Sequence, residues 1–599
     1  MPILRVIAIA IPASLLFAQS KAPEKSDGGS LFEKNCAVCH RADSPTRAPH
    51  PDSLARMTKP AIQAALETGS MKAQGAGLTG AQRLAVAAFL SKTSGAESEV
   101  TQKGMCPDGS HTDSERNQWN GWGVDLANTR YQPPAAAGLR PGQIPDLKLK
   151  WAFGFPGATV AFGQPTVFQG RLLFGSANGT VYSLDARSGC TYWTFKAPVT
   201  VRTAISVDPA REMAFFGDTQ ANVYAIATDS GRQLWKTRVD THPFARITGA
   251  PALYGGRLYV PVSSVEEAPA GKVDYACCTF RGSVAALEAQ SGKQIWKTYA
   301  IPDPAAPTRK NAAGAQLSGP AGAAIWSAPT IDVKRKAVYV ATGNAYSNPM
   351  TEFTDAVLAL DLDNGNLRWA RQMTPGDGWN FSCQSPNKAN CPETSGGDHD
   401  FGSSPILREL PGGKSVLIAA QKSGAVYGLD PDERGKTLWE TRIGRGGALG
   451  GIEWGAAADL DNVYAPLSDW TPGKPAEGGG LFALKLATGE KLWDTPAPKP
   501  PCLGTPGCSA AQMAPATAIA GIVFSGSMDG HLRAYDTRGG KIVWDLDTVR
   551  DFDTVNGVKA RGGSLNGTGP TVVDGMLYVN SGYGALGGMP GNVLLAFGP

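Results

Sequence analysis

Val357-Leu358-Ala359-Leu360-Asp361, followed by Gly365 and, four residues later, Trp369, is one copy of the pattern that decides the fold. The same short apolar run, turn and Gly-x-x-x-Trp recurs along the chain. It starts at Val181 (Gly189, Trp193), Val223 (Gly231, Trp235), Val284 (Gly292, Trp296), Val426 (Gly435, Trp439), Leu481 (Gly489, Trp493) and Leu532 (Gly540, Trp544). The fixed offset suits a hairpin whose turn needs φ > 0, followed by an outer strand that carries a docking indole. Two fragments remain: Leu147 to Trp151 reads as the tail of a copy, and Asn592 to Phe597 as the head of one. Joined in space they complete an eighth unit from both chain ends, and a closed ring leaves no exposed sheet edge. Residues 119–599 are therefore expected to form an all-β eight-bladed propeller, with the repeat tryptophans as scaffold.

Upstream of the ring stands Cys36-Ala37-Val38-Cys39-His40, the C-x-x-C-H attachment pattern of a c-type haem. Two thiols add across the vinyl groups, and His40 ligates the iron. Residues 26–95 read as a small all-α module. Leu31 to Asn35 leads into the motif as one helix, and Thr79 caps a second helix with Leu84, Ala88 and Phe89 on one face. Between them, Met71 in Gly69-Ser70-Met71-Lys72 is the expected distal iron ligand, whereas Met57, beside a helix start at Thr58, is assigned to core. The module resembles a class I cytochrome c. Residues 96–118, polar and poor in apolar residues, are read as a linker.

Residues 1–20 have the form of a signal peptide: Arg5, an apolar run from Val6 to Phe17, then Ala18-Gln19-Ser20. The run is short for a membrane span, so export to the periplasm is expected, with no integral membrane segment after cleavage. An oxidising compartment suits eight further cysteines. Cys383/Cys391 and Cys502/Cys508 are close enough to close small loops, and Cys106/Cys190 pair by elimination beside the vicinal Cys277-Cys278. A net charge of +4 over 599 residues argues against a nucleic-acid partner.

The residues that suggest chemistry lie between the repeats. Trp119-Asn-Gly-Trp-Gly-Val-Asp-Leu-Ala-Asn-Thr-Arg130-Tyr131, Ile325-Trp326 to Asp332 with Gly343-Asn344, Thr374 to Trp379 and Gln421-Lys422-Ser423-Gly424 together resemble the quinoprotein alcohol dehydrogenases. These are eight-bladed propellers that carry pyrroloquinoline quinone (PQQ) and Ca²⁺ at the ring centre. With the fused cytochrome and Ala276-Cys277-Cys278-Thr279-Phe280-Arg281-Gly282, the resemblance is greatest to the polyvinyl alcohol dehydrogenase branch. It implies Trp326 as the flat face under the quinone, and Asn344 with Glu266 or Glu267 as Ca²⁺ ligands. Arg202 and Lys422 are placed against the quinone and its carboxylates, Thr248 and Ser264 as hydrogen-bond donors, and Gln164 and Trp454 as lining.

The chain also departs from that family. Asn380 stands where the resemblance expects the catalytic aspartate after the tryptophan, and an insertion with Cys383 and Cys391 follows. Asp400, just before a Ser-Pro-Ile-Leu strand, is the expected base, with Asp377 and Asp398 as alternatives. Cys277-Cys278 lies elsewhere in the chain than the family's vicinal cysteines, which leaves its pairing and its closeness to the cofactor open. The implied reaction is oxidation of an alcohol, secondary or polymeric, to a carbonyl. A carboxylate takes the hydroxyl proton, and electrons pass to the fused haem and then to an external acceptor such as a soluble cytochrome c. Two rival readings are a non-enzymatic scaffold of the outer-membrane assembly type, which shares the repeat, and a cytochrome-fused propeller that has lost PQQ.

Overall fold

Eight antiparallel sheets form the ring in this computed structural model, which describes residues 27–41, 48–55, 57–67, 71–92, 103–107, 117–585 and 587–599. Seven blades follow in chain order at 166–196, 206–238, 252–299, 330–372, 406–442, 457–496 and 517–547. The eighth takes three strands from 571–598 and its outer strand, Lys148–Gly154, from the other end of the chain. Ring closure from the two fragments is thus as expected. The expected leader at 1–20, the Gly69-Ser70 turn and most of the linker lie outside the described residues.

The repeat works between blades rather than within one. Gly365 sits at φ +76°, and a Cβ on it would lie 2.5 Å from the ring of Trp296, the indole of the preceding blade. The other six repeat glycines likewise face the preceding blade's tryptophan, beginning with Gly189 against Trp151. Trp193 Nε1 donates to Thr228 O, and Trp235 Nε1 to Ala289 O, in the next blade. Two residues after several of these tryptophans a threonine repeats the link, as in Thr298 Oγ1 to Gly365 O at 2.7 Å. At the seam there is no hairpin and no glycine, and Trp544 instead packs edge-on against Phe597 with centroids 5.9 Å apart.

The stretch from Trp119 to Gln132 runs along the innermost strands as a hub. It hydrogen-bonds to blade one (Trp119 with Val167) and blade two (Asn120 with Val207). Further round it meets blade four (Leu126 with Ile331), blade five (Ala127 with Leu407), blade six (Thr129 with Ala458) and blade seven (Arg130 with Ala518). Leu126 packs against the same hydrophobic cluster as Ala252 and Tyr254 of blade three. Arg130 is buried between the rings of Trp119 and Trp122 and donates to Ala516 O, Trp122 O and Thr517 Oγ1.

The N-terminal residues form helices Gly28–Asn35, Ala37–His40, Pro51–Leu54, Lys59–Glu67, Lys72–Gly75 and Gly80–Leu90. Thr79 caps the last through a capping box with Gln82. Its inward face differs from the expected one. Val86, Ala87 and Leu90 are buried, whereas Leu84 and Phe89 are 52% and 51% exposed and Ala88 is exposed too. Gly28 explains the close approach: a Cβ there would lie 2.1 Å from Ala85 O, so the first and last helices cross backbone to backbone. Met57 and Met71 both pack at the edge of this core. Cys106–Cys190, Cys383–Cys391 and Cys502–Cys508 pair as expected, and Cys277–Cys278 is also a disulfide. The first of these ties the segment before the propeller to blade one.

Candidate active site

In an antiparallel blade, the turns between the second and third strands share an end of the ring with the connections from outer strand to next inner strand. The chemically suggestive residues fall on these two loop sets. Arg202, Thr248, Trp326, Asp377, Asp398, Asp400 and Trp454 lie on outer-to-inner connections, and Glu266, Glu267, Asn344 and Lys422 on second-to-third turns. The glycine hairpins lie at the opposite end, so scaffold and site are separated by topology.

At that end is a small chamber whose walls include Arg202, Thr248, Trp326, Trp454 and, from the hub, Trp122. Trp326 and Trp454 meet edge to face with centroids 5.1 Å apart. The Arg202 guanidinium lies 4.3 Å above the Trp454 ring, and Trp454 Nε1 donates to Asn566. Thr248 Oγ1 donates to the Trp326 carbonyl at 3.3 Å. Among the described residues, Arg202 Nη2, Trp326 Nε1 and Ser327 Oγ are buried without a hydrogen-bond partner. Buried donors left unmatched are costly, so the chamber suits an occupant that brings hydrogen-bond acceptors.

The two candidate glutamates have different surroundings. Glu266 is fully used: Tyr275 Oη and the N–H groups of Thr279 and Phe280 donate to it at 2.8–3.0 Å. Burial would raise its pKa, but His242 and those backbone donors outweigh this and hold it below the ordinary glutamate range. It braces the loop just after Cys277–Cys278. Glu267 Oε2 is buried with no partner. Burial, reinforced by Asp400 and Asp398 and opposed by Tyr346, pushes its pKa up to about 7. Asn344 donates its amide nitrogen to Ala345 O and Trp379 O, which leaves its Oδ1 as the group free for a cation. Among the described residues no three His, Cys, Asp or Glu side chains are grouped to hold a metal, so a Ca²⁺ ion would draw on Glu267 and the Asn344 amide oxygen as hard donors.

The three candidate bases are also distinct. Asp377 accepts the N–H groups of Asp398 and His399 and is 1% exposed, so it holds the backbone of the turn. Asp398 lies 3.0 Å from Lys422 Nζ, with its side chain 3% exposed. Asp400 Oδ1 accepts the Asn344 N–H at 2.7 Å, Oδ2 lies 3.7 Å from Lys422 Nζ, and its side chain is 17% exposed. Asn380 donates to Tyr346 O and Asn390 O and accepts from Ser382 N, a structural cap beside Cys277 Sγ. Gln164 is spent bracing the seam, between Gly569 N and Thr571 Oγ1. Ser264 Oγ accepts the Glu266 N–H and so shapes the glutamate turn.

A repeat-family model described as outer membrane protein assembly factor BamB matches residues 121–376, 281–502 and 477–594. A polyvinylalcohol dehydrogenase of a Pseudomonas species is 41% identical, covering 99% of this chain and 96% of its own length. A polyvinylalcohol dehydrogenase of a Sphingopyxis species is 38% identical over 96% and 93%. The chain belongs to the polyvinyl alcohol dehydrogenase family. The quinohemoprotein alcohol dehydrogenase of Comamonas testosteroni has the same fold, with a TM-score of 0.60, 18% identity and 81% of both chains covered.

Membership of the polyvinyl alcohol dehydrogenase family makes the protein an enzyme, an alcohol dehydrogenase, and sets the scaffold reading aside. Three residues of the site were not legible in the sequence. Arg246 and Tyr346 lie beside Glu267, and Asp355 is buried with both oxygens unpartnered. Burial, then Asp377, Asp400 and Asp398, push the Asp355 carboxyl well above the usual range. The one sequence signal for Arg246 was its place two residues before Thr248.

Proposed function

We propose that the protein is a periplasmic PQQ- and Ca²⁺-dependent dehydrogenase that oxidises a secondary or polymeric alcohol, of the polyvinyl alcohol type, to a ketone. Electrons pass to its own haem c and on to an external cytochrome. The observation that carries this reading is the pairing of unmatched groups at one end of the ring: Arg202 Nη2 and Trp326 Nε1 lack an acceptor, while Glu267 Oε2 lacks a cation. Bound there, PQQ with Ca²⁺ supplies the two-electron acceptor and the Lewis acid for alcohol oxidation. Trp326 offers the flat apolar face, Arg202 and Lys422 neutralise negative charge, and Glu267 with Asn344 supplies hard oxygens to the metal. Glu267 takes this role rather than Glu266, whose oxygens are already committed. Asp400, the most open of the three aspartates, with its Oδ2 3.7 Å from Lys422 Nζ, takes the hydroxyl proton.

The helical module supports the haem. Cys36 and Cys39 take part in no disulfide among the described residues. His40 is buried and its Nδ1 donates to Pro49 O at 2.8 Å, which leaves Nε2 for iron. Burial, opposed by that bond, lowers its pKa below the usual histidine value and keeps the ring neutral. Met71, at the edge of the helical core, would supply a thioether to the iron.

The test uses holoenzyme loaded with PQQ and Ca²⁺ under anaerobic conditions. Polyvinyl alcohol or a short secondary-alcohol oligomer should reduce the protein's own haem, and chelation should stop this until Ca²⁺ is returned. Activity that survives complete metal removal, or dye reduction with the haem left oxidised, would sink the metal or the routing respectively. Met71→Ala should abolish the long-wavelength sulfur-to-iron band, and Met57→Ala should leave it intact.

A further inference from the structure

Arg246 occupies an unusual position. It ends the extra two-residue strand Ala245–Arg246, which pairs with Ser263 and Ser264 and so runs beside the strand leading to Glu267. Two residues further on, Thr248 lines the chamber. The Arg246 Nε is buried with no hydrogen-bond partner, and among the described residues no carboxylate forms an ion pair with its guanidinium. The charges that bear on it are Glu267, Arg202 and the Tyr346 hydroxyl. Burial first, and Arg202 as a like charge, pull its pKa down to about 10, against the pull of Glu267.

Arg202 lines the chamber and Arg246 stands two residues from Thr248 of its wall, each with one buried N–H that no acceptor meets, and such donors are costly unless an acceptor completes them. Glu267 does not serve Arg246 in the working enzyme, because a divalent cation claims that carboxylate. A neutral polyol brings no negative charge. The remaining anions are the carboxylates of the quinone cofactor.

We propose that Arg246 is a second arginine of the cofactor site, which binds a PQQ carboxylate beside Arg202. This rests on the reading of the chamber as a PQQ site. It adds an anchoring residue that the family resemblance did not point to, supplied by a strand present in this blade alone among the eight. Arginine suits the task because its planar fork can take a carboxylate through two parallel hydrogen bonds, which lysine cannot do.

The experiment is a titration of metal-loaded apoprotein with PQQ, read by quenching of tryptophan fluorescence, since Trp326 and Trp454 form the walls. Wild type should bind, and if it does not, the PQQ reading itself fails. Arg246→Gln should weaken binding on the order of 10- to 100-fold, the scale of one lost charge-assisted bond. Arg246→Lys, which keeps the charge and guards against misfolding, should recover only part of that loss. With the trimethyl ester of PQQ, which lacks the anionic carboxylates, wild type and Arg246→Gln should bind alike. Unchanged PQQ affinity in a folded Arg246→Gln or Arg246→Lys protein overturns the proposal. An equal loss for PQQ and its ester also overturns it, because the contact would then be to the rings or the quinone oxygens.

Discussion

At the scale of single residues, the site turns on which carboxylate is free. Asn380, Glu266 and Asp377 are all close to the chemistry in sequence, and each is committed to backbone donors or acceptors in the fold. Asp400 has one oxygen on the Asn344 N–H and the other turned toward Lys422. Asp400→Asn should keep PQQ and Ca²⁺ binding but lose roughly 10²-fold or more in kcat, the usual scale for removal of a general base. Asp398→Asn and Asp377→Asn should lose less, Asp377→Asn mainly through a looser 398–399 turn. Steady-state kinetics on the three variants decide it. A dead Asp377→Asn beside a near-normal Asp400→Asn would move the base to the Thr374–Trp379 turn. Sequence spacing alone left Glu266 and Glu267 equal, because adjacent residues differ in direction only once the loop is folded.

At the scale of elements, the repeat glycine and the docking indole are one device. Gly365→Ala combines a left-handed backbone with a Cβ placed 2.5 Å from the Trp296 ring. The cost should be about 2–4 kcal/mol of stability by urea unfolding, the sum of backbone strain and overpacking. In blade seven, His531 Nδ1 lies 2.6 Å from Asp545 Oδ1. Burial would lower its pKa, but the Asp545 bond and the charges of Asp529 and Asp545 outweigh it and raise the value above the ordinary histidine value of about 6.5. A raised histidine pKa stabilises the protein fully below 6.5, and that contribution fades as pH rises through the folded value. His531→Gln should therefore lower the urea midpoint more at pH 6 than at pH 9, and an equal loss at both would remove the protonated histidine from the account. The helix Gly80–Leu90 shows where periodicity misled. Leu84, Ala88 and Phe89 share a face on the helical wheel, but the crossing at Gly28 brings Val86, Ala87 and Leu90 inward. The choice between two apolar faces is made by the partner helix.

At the scale of the whole molecule, one short stretch ties the ring together. Arg130 is buried with carbonyl and hydroxyl partners only, and burial pulls its pKa down to about 9. Arg130→Met would leave those acceptors unmatched at the axis and should cost roughly 3 kcal/mol or more, with PQQ affinity falling as well because Trp122 of the same hub lines the chamber. Thermal unfolding and the fluorescence titration together check this, and a loss confined to stability would separate the hub from the chamber.

The sequence by itself determined the period of the ring, its closure from both chain ends, the haem attachment pattern and three of the four disulfides. Each of these is a matter of spacing along the chain, and spacing survives without coordinates. Only the tertiary structure decided which glutamate keeps an unmatched oxygen, which aspartate is most open, that Asn380 is a cap, and that the Arg246 Nε is buried without a partner. Those outcomes depend on which donors and charges arrive from blades distant in sequence. A side chain's role at the ring centre is set by neighbours brought there from several different blades.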